Sequence, residues 1–227
     1  MPTVACPVCE DASTRFFAEA GSREYLRCDS CQSTFLTPTQ RPDRSEEKRE
    51  YDRHRNDIDD PGYRRFLARL ATPLLERLAP RSAGLDYGCG PGPTLAAMLE
   101  ASGHQVRLYD PIYYPHTGST GPLGDTYDFV TCTEVVEHMH RPAEEFRRID
   151  ALLRPGGHLG VMTVFQTDDA RFVDWHYRRD PTHVVFYRES TLALIADRMR
   201  WTMEIPGANV AIFRKPPSAA TRHAQGG

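Results

Sequence analysis

No stretch of this 227-residue sequence is long and uncharged enough to span a bilayer as a helix. A marked excess of one charge is also missing: 31 acidic against 28 basic residues leave a net charge of −3, which argues against a strongly basic nucleic-acid-binding surface. The first residues, M-P-T-V-A-C-P, have neither the charged region nor the apolar core of a secretory signal, so a cytoplasmic protein is expected. Compositional bias is absent as well. With 40% hydrophobic residues the chain is neither disordered nor collagen-like, and it is long enough for one sizeable core plus a small annex.

Six cysteines are present, and four fall into two C-x-x-C pairs, Cys6 with Cys9 and Cys28 with Cys31; Cys89 and Cys132 are isolated. Two matched pairs in a chain without an export signal read as a tetrahedral Zn2+ site rather than as disulfides, because four thiolates suit zinc and a redox C-x-x-C needs only one pair. Residues 1–42 are therefore expected to form a small N-terminal zinc ribbon, with short strands at Arg15–Phe17 and Glu24–Arg27 and prolines closing the module. Structural support is preferred over substrate recognition as its role, since its charges are mixed.

Residues 43–82 read as a helical linker or lid. Charges of both signs alternate densely from Arg41 to Asp60, the pattern of a solvated helix. From Tyr63 to Leu78, Phe66, Leu67, Leu70, Leu74, Leu75 and Leu78 share one helical face, with Pro73 expected to kink or divide the helix. Tyr51 and Tyr63 are either cofactor neighbours or ordinary aromatics at helix edges.

The stretch G-L-D-Y-G-C-G-P-G-P-T, Gly84 to Thr94, joins an apolar strand pattern to a helix pattern through Gly88, Gly90 and Gly92. Glycines at such a turn let the backbone approach a nucleotide-like ligand closely at a helix N-terminus. Asp110 ends the next strand, Val106–Tyr109, 20 residues after Gly90, where an acidic side chain can hold ribose hydroxyls. Strand and helix patterns then alternate, as in a parallel α/β sheet: a strand at Tyr127–Thr133, a helix at Ala143–Leu153, a strand at His158–Val164 and a helix at Thr191–Met199. Trp201–Ile205 and Asn209–Arg214 suit a terminal hairpin, and residues 216–227 a disordered tail. Pro111–Gly124 is rich in Pro, Gly, Ser and His, so the unit expected there is shortened to loop.

Taken in order, L-D-Y-G-C-G-P-G, L-Y-D, Y-D-F-V-T-C-T-E-V-V-E-H-M and L-L-R-P-G-G-H-L resemble the class I S-adenosylmethionine-dependent methyltransferases. The resemblance covers Ala83 to Lys215 and implies, for residues 83–215, a Rossmann-like seven-stranded sheet, mostly parallel with a terminal antiparallel hairpin strand. It also implies that Asp86, Gly88, Gly90 and Gly92 line the methionine end of S-adenosylmethionine and that Asp110 holds the ribose. A dinucleotide dehydrogenase is disfavoured, because the third glycine of its fingerprint would fall on Pro93.

Candidate catalytic groups follow the central strand. Glu134, Glu137 and His138 are spaced to share one face of a helix, and two carboxylates with an imidazole suit Mg2+ or another divalent cation. E-V-V-E-H is similar to the metal-binding motif of the small-RNA 2′-O-methyltransferases and of the ubiquinone-pathway O-methyltransferases, and His183 is the candidate for the further histidine of the RNA enzymes. The same residues also suit a helix cap and a packed histidine without a metal. Trp175–His183, W-H-Y-R-R-D-P-T-H, reads as a polar substrate-side loop in which His176 or His183 serves as general base or pins the loop.

The leading expectation is a methyltransferase for a small-molecule acceptor, O-directed if the second metal is bound and otherwise open to C- or N-methylation. An RNA methyltransferase that grips nucleic acid with its ribbon is the alternative, and a cofactor-binding scaffold without catalysis is a third; intact glycines and Asp110 weigh against the last.

Overall fold

The computed structural model describes residues 4–53, 57–115 and 121–218. Its strands are β1 (Thr14–Ala20), β2 (Arg23–Cys28), β3 (Thr34–Leu36), β4 (Ala83–Tyr87), β5 (Gln105–Tyr109), β6 (Tyr127–Thr133), β7 (Leu153–Met162), β8 (Val185–Phe186), β9 (Thr202–Gly207) and β10 (Val210–Arg214). The α-helices are α1 (Arg44–Tyr51), α2 (Pro61–Leu75), α3 (Thr94–Ala101), α4 (Pro142–Leu152) and α5 (Glu189–Met199). Contacts divide the chain into two compact units, residues 1–54, 134–146 and 163–195 in one and residues 55–133, 147–162 and 196–227 in the other. Among the described residues no helix is long and apolar enough to cross a membrane.

The second unit carries a six-stranded sheet in the order β5-β4-β6-β7-β10-β9. β5, β4, β6 and β7 run parallel, and β10 is antiparallel to both β7 and β9. This is the Rossmann-like α/β sheet with its terminal hairpin, as expected. The strand count differs: a seventh strand is not found among the described residues, because the described parts of the segment between Asp110 and Tyr127 hold turns, an isolated bridge from Asp110 to Tyr114 and a short 3₁₀ turn at Pro122–Gly124. Residues 116–120 of that segment, and the expected tail beyond residue 218, lie outside the described residues.

Apolar periodicity accounts for the core of this unit. Leu67, Leu70, Ala71 and Leu74 of α2 pack with Leu95 and Leu99 of α3 against Phe129, Met162, Val210 and Ile212 of the sheet. Each of these side chains other than Ala71 contributes about 1.5–3 kcal/mol through burial. α2 is capped by Asp60, whose carboxylate accepts from the Gly62 amide, and Pro61 sits at the N-terminal turn where a missing N–H costs nothing. Pro73 does not divide the helix, which runs unbroken to Leu75 with the proline in its last turn. Gly84 is required by close approach: a Cβ there would lie 2.0 Å from the buried Phe129 ring.

R-P-G-G does not precede its strand but belongs to it. Leu153 already pairs with Tyr127, while Phe129 pairs with His158, so residues 154–157 are accommodated in an irregularity of β7. Gly156 takes the φ of +85° that this requires.

In the first unit β1, β2, β3 and β8 form an antiparallel sheet in that order. The two cysteine pairs flank its first strands. The final strand, β8, comes from far along the chain, which local spacing did not reveal. α1 is a solvated helix with no buried residue, closed at its start by a capping box between Asp43 and Glu46.

Candidate functional site

Among the described residues, two groups of side chains bear chemistry in the first unit, and one in the second.

Cys6, Cys9, Cys28 and Cys31 are buried, unbridged and gathered so that their sulfur atoms lie within 4.8 Å of one another. Cys6 Sγ is 3.6 Å from Cys31 Sγ, and Cys9 Sγ is 3.4 Å from Cys28 Sγ. Disulfide bonds are near 2.05 Å, so these are thiols drawn together at separations that suit a shared tetrahedral ion.

The second group follows β6 in sequence. Val136–His138 form a 3₁₀ turn, and Glu134, with φ of +52°, lies outside it. The expected helical face of Glu134, Glu137 and His138 therefore does not form. A left-handed glutamate is a strained conformation for a residue with a side chain, and such strain gathers at functional positions. What the fold assembles instead is Glu137, His138 and His183, with ligand-type atoms within 4.8 Å of one another. The two imidazole rings are 4.6 Å apart. His183 Nδ1 is 2.6 Å from the Tyr177 carbonyl and His138 Nδ1 is 3.1 Å from the Thr182 carbonyl. A carbonyl only accepts, so each neutral ring carries its proton on Nδ1 and its lone pair on Nε2. Asp180 Oδ2 lies 3.8 Å from His183 Nε2.

Glu137 is fully buried, and one of its oxygens, Oε2, has no hydrogen-bond partner. Its other oxygen accepts from the Tyr177 hydroxyl, which also meets Glu134 Oε2 at 3.2 Å and Thr163 Oγ1 at 3.1 Å. Burial, reinforced by the Glu134 carboxylate, raises the Glu137 pKa well above the usual carboxylate range. An orphaned buried oxygen beside two oriented imidazoles fits a divalent cation.

Tyr177 carries little signal in the sequence beyond being an aromatic inside a polar stretch. Trp175–His183 is less exposed than expected, because Tyr177, Thr182 and His183 are buried around a 3₁₀ turn at His176–Arg179. His176 is exposed and outside the cluster. Tyr51 packs edge-on against His138 at 5.2 Å, while Tyr63 stacks on Phe66 as a helix-edge aromatic.

In the second unit the turn after β4 takes the expected form. Gly88 and Gly90 have φ of +81° and +63°, and the Gly88 amide donates to the Tyr109 carbonyl at 2.7 Å. Gly92 accepts from the Thr94 amide as α3 begins. Asp110 Oδ2 accepts from the Gly90 amide at 3.1 Å, and Oδ1 accepts from the amides of Ile112 and Tyr113. Asp86 is buried at the end of β4 and accepts from the Thr131 hydroxyl at 2.7 Å. Burial, with the charge of Asp110, raises its pKa to about 6. Two carboxylates at one glycine turn present negative potential to a cationic ligand.

This strand order and glycine turn define the fold of the S-adenosylmethionine-dependent methyltransferases. A methyltransferase-domain family model matches residues 51–203, and the chain belongs to that family. It is similar to the ubiquinone biosynthesis O-methyltransferase of Aeromonas salmonicida, 38% identical over 95 residues that cover 40% of this chain and 38% of that protein. The Yersinia enterocolitica protein of the same description is 32% identical over 125 residues, covering 43% and 51%. The chain thus spans about half or less of the length of the curated relatives it matches. Among solved structures, the 1,6-didemethyltoxoflavin-N1-methyltransferase of Burkholderia thailandensis, with bound 1,6-didemethyltoxoflavin and S-adenosylhomocysteine, matches with TM-score 0.56 at 20% identity, over 89% of this chain and 99% of that one. The N-methyltransferase NodS of Bradyrhizobium japonicum WM9, with S-adenosylhomocysteine, matches with TM-score 0.52 at 20% identity, over 74% and 96%.

Proposed function

We propose that this chain transfers a methyl group from S-adenosylmethionine to a small-molecule acceptor. The observation that carries the reading is the glycine turn at Gly88–Gly92 with Asp86 and Asp110, set in the sheet of this family. S-adenosylmethionine is a cation at its sulfonium and ammonium groups, which suits the carboxylate pair. In this reading Asp86 and the glycines line the methionine end, and Asp110 accepts from the ribose hydroxyls. The reaction is then attack by an acceptor nucleophile on the sulfonium methyl, for which alignment supplies much of the rate.

The four cysteines are read as a structural Zn2+ site, and residues 1–42 as its ribbon. On the acceptor side, Glu137, His138 and His183 are read as holders of a divalent cation that would lower the pKa of a bound hydroxyl and favour O-methylation. Of the divalent cations expected from the sequence, two imidazoles and one carboxylate suit Mn2+, Fe2+ or Zn2+ better than Mg2+, which prefers oxygen ligands. The curated O-methyltransferase relatives support this direction. Glu134 is left as a partner of Tyr177, and His176 has no part.

Titration with S-adenosylhomocysteine and a screen of metabolite pools with labelled S-adenosylmethionine test the reading. Binding in the micromolar range and one labelled product support it; absence of S-adenosylhomocysteine binding overturns it. Mn2+ titration followed by spin-resonance spectroscopy decides the cation, with Glu137→Ala expected to abolish binding. A methyltransferase unaffected by chelators and by Glu137→Ala would instead use His138 or His183 as a metal-free base.

A further inference from the structure

The cysteine-bearing sheet and the Glu137, His138 and His183 cluster share a strand. β3, which starts three residues after Cys31, pairs with β2 on one edge and with β8 on the other. β8 starts two residues after His183. The Leu36 amide donates to the Val184 carbonyl at 2.9 Å, and the Val184 amide donates in turn to the Glu137 carbonyl at 2.9 Å. The Tyr187 hydroxyl donates to the Val136 carbonyl. One extended segment therefore hangs on the ribbon strand at one side and carries the backbone of Glu137 at the other.

Side chains repeat the connection. The Thr191 hydroxyl donates to the Cys31 carbonyl at 2.8 Å in a buried position. Arg23 Nη1 donates to the Pro181 carbonyl at 3.1 Å. Arg27, 1% exposed, donates to Thr34 Oγ1 and pairs with Asp169 at 2.7 Å. β3 and β8 have only three and two residues, so few ladder hydrogen bonds align them, and their register depends on the buried packing of Phe35, Leu36, Val185 and Phe186 and on what holds their ends. The knuckle Cys28–Cys31, closed by the Cys28 amide to the Ser33 carbonyl, adds a brace at the start of β3.

We infer that the cysteine ribbon is the positioning element of the Glu137, His138 and His183 cluster, and that Thr191 is a positioning residue that ties the second knuckle to it. The inference rests on the zinc and acceptor-side readings above and assigns the ribbon a task in the reaction without contact to the acceptor. Loss of the ion frees β3, then Val184, then the carbonyl that sets Glu137, while the glycine turn stays held by its own sheet.

Hydrogen exchange of the full chain before and after zinc removal, with zinc counted by elemental analysis, is one arm of the test. The Leu36 and Val184 amides should exchange at least about tenfold faster in the stripped protein, the effect of losing about one buried hydrogen bond, while β4 and β6 keep their protection and S-adenosylhomocysteine affinity stays within about twofold. Unchanged protection at Val184 after zinc loss overturns the inference. The second arm keeps all four cysteines. Thr191→Val should retain zinc yet weaken Mn2+ binding about tenfold, and Thr191→Ser should restore it; wild-type Mn2+ affinity in Thr191→Val also overturns it. If the chain holds no zinc, the zinc reading falls and the Thr191 arm decides; if wild type binds no Mn2+, the cation reading falls and the exchange arm decides.

Discussion

The carboxylate of Asp110 accepts a hydrogen bond from the amide of Gly90 at 3.1 Å, so the acidic residue that closes β5 also holds the glycine turn that follows β4. Its second oxygen is held by the amides of Ile112 and Tyr113, which fixes the carboxylate before any ligand arrives. Asp110→Ala should therefore lose a brace of the turn and, on the proposed reading, the acceptor for the ribose hydroxyls. A charged hydrogen bond is worth about 1.5–3 kcal/mol, so S-adenosylhomocysteine affinity by calorimetry should fall roughly 10- to 100-fold.

With Asp86 at the methionine end of the cofactor, as proposed, cofactor binding should depend on pH. Its pKa is raised to about 6, chiefly by burial, and a cationic ligand favours the ionised form. S-adenosylmethionine affinity should rise as pH increases through about 6, and Asp86→Asn should flatten that dependence. In the ligand-free protein the sign is reversed: because the folded pKa lies above the unfolded value, this group's stabilising contribution is complete below about pH 4 and is lost as pH rises through about 6. The loss is on the order of 3 kcal/mol and is measurable by urea unfolding at several pH values.

The ribbon should bind about one zinc ion per chain by elemental analysis, and Cys28→Ser should remove it. Because an ion held by the four thiolates would tie the two knuckles together, the melting temperature should fall with chelation, and it should recover when zinc is returned.

Tyr177→Phe removes the hydroxyl that joins Glu134, Glu137 and Thr163. Buried acceptors then lose their donor, at a cost of about 1–3 kcal/mol in unfolding free energy. The change should also lower turnover of the acceptor while S-adenosylhomocysteine affinity is kept.

Gly84→Ala should be severely destabilising, because the added methyl would meet the Phe129 ring inside the sheet. Overpacking of this kind costs about 1–3 kcal/mol or more, and denaturant unfolding will measure it.

The sequence by itself determined the strand–helix alternation, the turn and the knuckles. Leucine periodicity in α2, the alternation of strand and helix from β4 to α5, the spacing of Gly88, Gly90 and Asp110, and the two C-x-x-C pairs are all local patterns, set by helical and strand repeats or by the geometry of a single turn. Only the tertiary structure decided which acidic and imidazole groups meet. Glu134 left the expected face because its φ turned positive, His183 joined His138 through β8, and Tyr177 entered the cluster from a stretch that reads as polar loop. Residues far apart in the chain are brought together by strand pairing and burial, and neither leaves a period in the sequence around them.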